Sequence, residues 1–409
     1  MVNKEKPRLL KNTSALLLIQ LINYISPLLL IPYLTRTLGA EIFGVTAIGI
    51  SIVQIACTIT DYGFNLSATQ QIAESNSKQH IRETFYAVII CKILILIPVF
   101  IALSLFIELN EQYSKYQIYF WLLLIPIAGQ TFQPIWLFQG IERMGFITIY
   151  STTSRAAYLL TTVLFVKSAS DYYLVAITNG ISTVLATALA FVLLWRIGYS
   201  PVRCSWKKIK HTFSHSTQFF WARAAVATYT AGGAFFLGIA STPLQVAYYS
   251  AAEQIYKGAQ SLIQPVSQAL YPYMIKNKNI ELFKKILIAL TTLSIIGACL
   301  GALFSKEVIE LIFGNEYSES KSSLLIFLIT FCVTTPSILL GYPFLGALGF
   351  SRTANLSVIL AGVLQLILLL CITKFNLTSA SYVCLSILTV EITVLAIRAK
   401  KSVSILNEI

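Results

Sequence analysis

Charge is scarce in this 409-residue chain: Asp, Glu, Lys and Arg together make up 11% of it. A soluble protein of that length needs far more polar surface to meet water. Acidic residues are the scarcer, 17 against 30 basic ones, which leaves a net charge of +13. No two cysteines have CxxC spacing, and Cys57, Cys91, Cys299, Cys332, Cys371 and Cys384 sit in apolar stretches, with Cys204 in a basic connector. Neither a zinc site nor a disulfide framework is indicated. The three histidines, His80, His211 and His215, fall in or beside polar connectors. No metal and no cofactor are expected. A GxxxxGK[ST] phosphate loop is absent as well, so ATP coupling within the chain is not expected. Long polar loops are missing too. The longest connectors, around 196–212 and 305–322, are each under about 20 residues and leave no room for a soluble domain.

What is there is apolarity, 56% of the chain. It gathers into twelve stretches near 13–35, 44–66, 84–107, 117–139, 147–166, 172–195, 213–240, 246–273, 285–304, 322–348, 354–373 and 379–397. Each is close to the roughly 20 residues that cross a hydrocarbon core. The first follows MVNKEKPRLLKN and runs past Pro27 and Pro32, longer than a signal-peptide core, so it is expected to be retained. An even number of spans puts both termini on one side. Twenty basic residues belong to the terminal and even-numbered connectors, against Arg36, Lys115, Lys167, Lys306, Lys321 and Lys374 on the other side. The positive-inside rule then makes both termini cytoplasmic. That asymmetry accounts for the net charge without nucleic acid, which is not an expected partner.

The most basic connector, WRIGYSPVRCSWKKIKH, sits at the midpoint. It suggests an N-terminal six-helix lobe over 1–196, a cytoplasmic linker over 197–212, and a C-terminal six-helix lobe with a short tail over 213–409. WLFQGIERMGF at the end of span four and PFLGALGF at the end of span ten echo each other, pairing Phe138 with Phe344 and Gly140 with Gly346. Two repeated bundles are a common transporter plan with the substrate near the midplane. The expected fold is therefore an all-α integral membrane protein, about 12 transmembrane helices in two six-helix bundles around a central cavity.

Four basic residues fall inside spans: Lys92, Arg155, Arg223 and Lys257. A charge at such depth faces a cavity, a partner or the interface. Lys92 and Arg155 lie about eight residues from a helix end, roughly 12 Å, so snorkelling and cavity exposure both remain open. Arg223 is deeper, and a cavity is favoured. Glu253 and Lys257 are spaced i, i+4 and can neutralise each other, yet Gln260, Gln264 and Gln268 extend the same face. A lumen-lining stripe explains them better than one ion pair. Asp61, in TDYGFNLSATQQIAE, is either a solvated or capping carboxylate or, with Glu253, a candidate for H+ or Na+ coupling. Glu391 reads as an interfacial, solvated residue. Trp136, Trp221, Tyr229 and Tyr256 are candidates for stacking on sugar faces, though aromatics at these depths more often pack or anchor.

LLLIPYLTRTLGAEIFGVTAIGISIVQIACTITDYGFNLSATQQIAE at 28–74 closely resembles the start of bacterial O-antigen flippases. These are Wzx-type members of the polysaccharide transporter family, within the multidrug/oligosaccharidyl-lipid/polysaccharide exporter superfamily. PIWLFQGIERM at 134–144, FVKSASDYY at 165–173 and VAYYSAAEQIYKGAQSLIQPVSQALYP at 246–272 extend the resemblance over nearly the whole chain. It implies a transporter, not an enzyme, that moves undecaprenyl-diphosphate-linked O-antigen repeat units across the bacterial inner membrane by alternating access. An ion gradient is the implied drive, membrane lipids the surroundings, and an O-antigen polymerase and chain-length regulator the implied protein partners. Another lipid-linked glycan, from a capsule or exopolysaccharide, is the nearest alternative cargo. A drug/cation antiporter would want an acidic interior, whereas the in-span charges here are mildly cationic and suit a diphosphate. A membrane glycan polymerase would want a large outer loop, and the longest here is about 17 residues.

Overall fold

The computed structural model describes residues 2–75 and 77–408, and every side chain among them except those of residues 2–25, 222, 229, 230 and 408. Sixteen α-helices follow one another with no strand among the described residues. They are α1 Val2–Asp61, α2 Phe64–Ala73, α3 Lys78–Leu109, α4 Gln117–Leu122, α5 Leu124–Thr131, α6 Ile135–Gly140, α7 Met144–Phe165 and α8 Tyr172–Arg196. Then come α9 Trp206–Thr230, α10 Gly232–Ala240, α11 Pro243–Asn277, α12 Ile280–Leu303, α13 Ser305–Phe313, α14 Ser320–Leu339, α15 Ser351–Lys374 and α16 Ala380–Glu408.

Every one of the twelve expected spans lies on these helices, but among the described residues eight segments are apolar enough over sufficient length to cross a membrane by composition. The difference is informative. Ser26–Ala73 is one segment of 48 residues, about 72 Å at 1.5 Å per residue and more than two bilayer cores. It bends at Gly39, whose φ of 74° interrupts the helix, so it takes in the second expected span and the end of the first. The other three missing spans are α7, α9 with α10, and α11. Those are the helices that carry Arg155, Arg223 and the Glu253–Lys257 pair.

The chain forms two compact units. Unit 1 is residues 1–33 and 49–224. Its core gathers Phe64, Phe85, Trp136, Phe138, Tyr150 and Ile209, all buried. Unit 2 is residues 34–48 and 225–409. It packs Leu270, Met274, Phe283, Phe344 and Ile405 around a π-helical turn at Leu340–Gly346. Phe138 and Phe344, the paired residues of the sequence echo, are each fully buried in their own unit.

The division falls inside α9, after Ala224, and not in the basic connector 197–212. Polar composition marks the connector, but packing ties the start of α9 to unit 1. Ile209 is buried in the unit 1 core, the Ser216 and Ser67 hydroxyls are 2.6 Å apart, and the Tyr62 ring stacks on both Phe213 and Phe220, at 4.5 and 4.6 Å. Residues 34–48 join unit 2 through backbone capping. Glu316 accepts the Ala40 N–H at 2.9 Å just past the Gly39 bend, and Arg36 donates to the Leu311 carbonyl in the last turn of α13. Gly44 lets this segment approach closely, because any Cβ there would overlap the Pro243 carbonyl.

Candidate substrate and ion-coupling sites

In unit 1 the deep charges surround a helix break. Pro134 has no N–H to continue the α5 ladder and disfavours helix at the residue before it, so α5 stops at Thr131 and its last carbonyls need partners. Lys92 supplies one. Its ammonium donates to the Thr131 carbonyl at 2.7 Å, and the side chain is only 4% exposed. Lys92 therefore neither snorkels to an interface nor stands open to a cavity; it is bound into the core of the unit. The Thr131 hydroxyl donates to the Thr60 hydroxyl at 2.9 Å, next to Asp61.

Asp61 is 7% exposed, which rules out the solvated-loop reading. Arg223 Nε lies 3.2 Å from its Oδ2, while the Arg223 side chain is 42% exposed. Neither carboxylate oxygen accepts an aligned hydrogen bond, so the pair is ionic and loosely oriented. Arg155 differs from Lys92 and Arg223 in having no partner of this kind. It is half-buried on α7, and among the described residues its guanidinium makes no hydrogen bond or ion pair. Thr152 and Tyr158, three residues to either side, have buried hydroxyls with no hydrogen-bond partner.

Unit 2 holds a cavity of about 210 Å³. Glu253, Lys257, Gln260 and Gln264 line it from α11, so four of the five stripe residues share one lumen and Gln268 does not. Lys257 Nζ is 2.8 Å from Glu253 Oε2, and Tyr249 donates to the other oxygen at 3.1 Å. Gln260 donates to the Tyr256 hydroxyl at 2.7 Å.

Two lining residues on α16 were not expected there. Glu391 reads from sequence as interfacial, but it is 9% exposed and faces the cavity. Arg398, counted above among the cytoplasmic charges, also lines it; its guanidinium donates to the Ser337 carbonyl at 2.8 Å and to the Ser357 hydroxyl at 2.9 Å. The seven-residue spacing of Glu391 and Arg398, two helical turns on one face, was the available signal.

The two units repeat one device. Ser337 precedes Gly341, whose ψ of −118° breaks the helix, and Arg398 holds the Ser337 carbonyl as Lys92 holds that of Thr131. In the register that aligns Phe138 with Phe344 and Gly140 with Gly346, Thr131 falls on Ser337. The charges divide unevenly, however. Unit 1 sets Lys92, Arg155 and Arg223 against Asp61, whereas the unit 2 cavity balances Lys257 and Arg398 with Glu253 and Glu391. The cationic excess belongs to unit 1.

The aromatic candidates are mostly packing residues. Trp136 is buried edge-on to Phe85 at 5.8 Å, and Tyr256 stacks on Phe327 at 4.9 Å. Trp221 is exposed, and the Tyr229 side chain lies outside the described residues. Among the described residues no group of three His, Cys, Asp or Glu could hold a metal ion.

Known proteins share both the sequence and this architecture. The chain is 33% identical over 304 residues to the "Putative O-antigen transporter" of Escherichia coli (strain K12), covering 72% of each. A protein of the same description from Shigella dysenteriae is 30% identical over 316 residues, 76% of this chain and 79% of that one. Among solved structures, the lipid II flippase MurJ in an inward closed conformation superposes with a TM-score of 0.74 at 14% identity, covering 96% of this chain and 87% of that one. An inward-facing multidrug resistance transporter of the MOP superfamily gives 0.71 at 12% identity, covering 95% of each chain. At those identities the structures speak for the fold. The family described as polysaccharide biosynthesis protein matches residues 9–278, and with two thirds of the chain inside that match, the chain belongs to this family.

Proposed function

We propose that the chain is a flippase that moves undecaprenyl-diphosphate-linked O-antigen repeat units from the cytoplasmic to the periplasmic leaflet of the bacterial inner membrane, by alternating access. The observation that carries this reading is the 33% identity to an O-antigen transporter across 72% of both chains. The protein is a multi-pass membrane transporter and not an enzyme. The cationic excess of unit 1 supports an anionic cargo, since a guanidinium without a protein partner suits bidentate contact with a phosphate. It weighs against a drug/cation antiporter, even though a multidrug resistance transporter shares the fold.

Deleting the gene should make undecaprenyl-linked repeat units accumulate and remove O-antigen from the cell surface, with both effects reversed by the gene on a plasmid. Unchanged surface O-antigen and no accumulated intermediate would end the reading. A capsular or exopolysaccharide defect in place of the O-antigen defect would move it to another lipid-linked glycan.

The proposed orientation places both termini in the cytoplasm. A membrane-impermeant thiol reagent added from the periplasm should label single cysteines introduced between 306 and 321 and spare the native Cys204. Labelling of Cys204 alone would invert the topology.

A further inference from the structure

We propose that Glu391 is the proton-exchanging carboxyl of unit 2, the group through which a proton gradient would drive the transport cycle; the coupling half of this statement rests on the flippase reading above. Three acidic residues lie at membrane depth, and two already have a cation. Asp61 lies 3.2 Å from Arg223, and Glu253 lies 2.8 Å from Lys257 while accepting the Tyr249 hydroxyl. Glu391 alone of the three makes no hydrogen bond and no ion pair among the described residues, although it is 9% exposed; Arg398, seven residues on, acts on it electrostatically without closing to an ion pair.

Its surroundings suit a proton better than a metal ion. The titratable groups that line the cavity with it are Glu253, Tyr256 and Lys257 from α11 and Arg398 from its own helix; α14 and α15 add no titratable side chain to the lining. Arg398 is committed to the Ser337 carbonyl and the Ser357 hydroxyl. A bare metal cation would have to sit beside the positive charges of Lys257 and Arg398, with one of the two cavity carboxylates already paired. A proton needs only the one carboxylate, and it removes a charge whose burial in low dielectric is costly. Gln260 and Gln264 give the same cavity a polar lining along which water can bring it. Loading Glu391 turns a cavity of two acids and two bases into one with a net positive charge. That change gives the transporter two electrostatically distinct states of unit 2, which is what a coupling ion must provide.

The test uses dicyclohexylcarbodiimide, an apolar reagent that reacts with protonated carboxyls within membranes, on the purified full-length protein, with adducts located by peptide mass spectrometry. The expected result is an adduct at Glu391 that declines as pH rises, is unaffected by added sodium, and is absent at Glu253. Labelling of Glu253 in preference to Glu391, or none at either, would overturn the assignment, and protection by sodium at constant pH would overturn it in favour of a metal cation. Because labelling needs no substrate, a normal adduct in a protein that fails the O-antigen test would leave the proton site standing and remove only the flippase reading. The coupling half is checked in cells with Glu391→Gln and Glu391→Asp at matched abundance. Glu391→Gln should lose proton-gradient-dependent export of O-antigen at least tenfold, and Glu391→Asp should recover part of it. Full export by Glu391→Gln that an uncoupler still abolishes would place the coupling elsewhere.

Discussion

Replacing Arg155 with alanine is expected to cut translocation roughly ten- to a hundred-fold while leaving the abundance and thermal stability of the protein unchanged. The split follows from what the guanidinium touches. Among the described residues it makes no hydrogen bond and no ion pair, so its removal strands no partner inside the fold. The helix keeps its contact with α8, where the Ser154 hydroxyl donates to the Ser182 carbonyl at 3.1 Å. A guanidinium kept at membrane depth without a partner is expensive unless something visits it. The buried and unpartnered hydroxyls of Thr152 and Tyr158, neighbours on the helix surface, are what an anion with several acceptor oxygens would satisfy. Hydrogen bonds to charged groups are each worth about 1.5–3 kcal/mol, and about 1.4 kcal/mol is tenfold in rate. Arg155→Lys keeps the charge but loses the fork, so it should recover only part of the rate. The check is the rate of O-antigen appearance at the cell surface at matched protein levels. A wild-type rate in Arg155→Ala would remove Arg155 from the substrate path.

Much of this architecture can be read in the sequence because a bilayer imposes its thickness on composition. All twelve expected spans lie on helices, and the three too polar to pass as spans by hydropathy are the ones that carry Arg155, Arg223 and the Glu253–Lys257 pair. The ion pair itself was legible because both partners are on one helix, four residues apart. What composition cannot report is a partner on another element. Lys92 is held by a backbone carbonyl that becomes available only because Pro134 ends α5, and no side-chain pattern announces that contact. Glu391 was misplaced for a different reason. The apolar stretch ends near 397, which puts Glu391 close to an interface, but α16 continues to Glu408 and its polar last turns still pack, with Ser402 and Ile405 buried. Depth counted from the end of an apolar run differs from depth within a helix. The unit boundary shows the same limit: charge marks the connector at 197–212, while packing of the Tyr62 ring and Ser67 against α9 carries unit 1 on to Ala224.

Lys92→Ala is expected to behave in the opposite way to Arg155→Ala, destabilising the protein by about 3 kcal/mol or more. Lys92 is 4% exposed, and its ammonium has two tasks within unit 1. It holds the Thr131 carbonyl at the end of α5, and it is an electrostatic partner of Asp61, which is itself 7% exposed. Without it the carbonyl is left short of a donor and the carboxylate keeps only Arg223, whose side chain is 42% exposed and screened accordingly. Lys92→Met restores the volume of the side chain but neither the donor nor the charge, so it should rescue little. Adding Asp61→Asn to Lys92→Ala removes the stranded charge and should return part of the loss, a coupling that a double-mutant cycle measures directly. Thermal unfolding in detergent, read together with the amount of folded protein in membranes, is the relevant measurement. A Lys92→Ala protein that unfolds at the wild-type temperature but no longer exports O-antigen would move Lys92 from the scaffold of unit 1 to the path of the substrate.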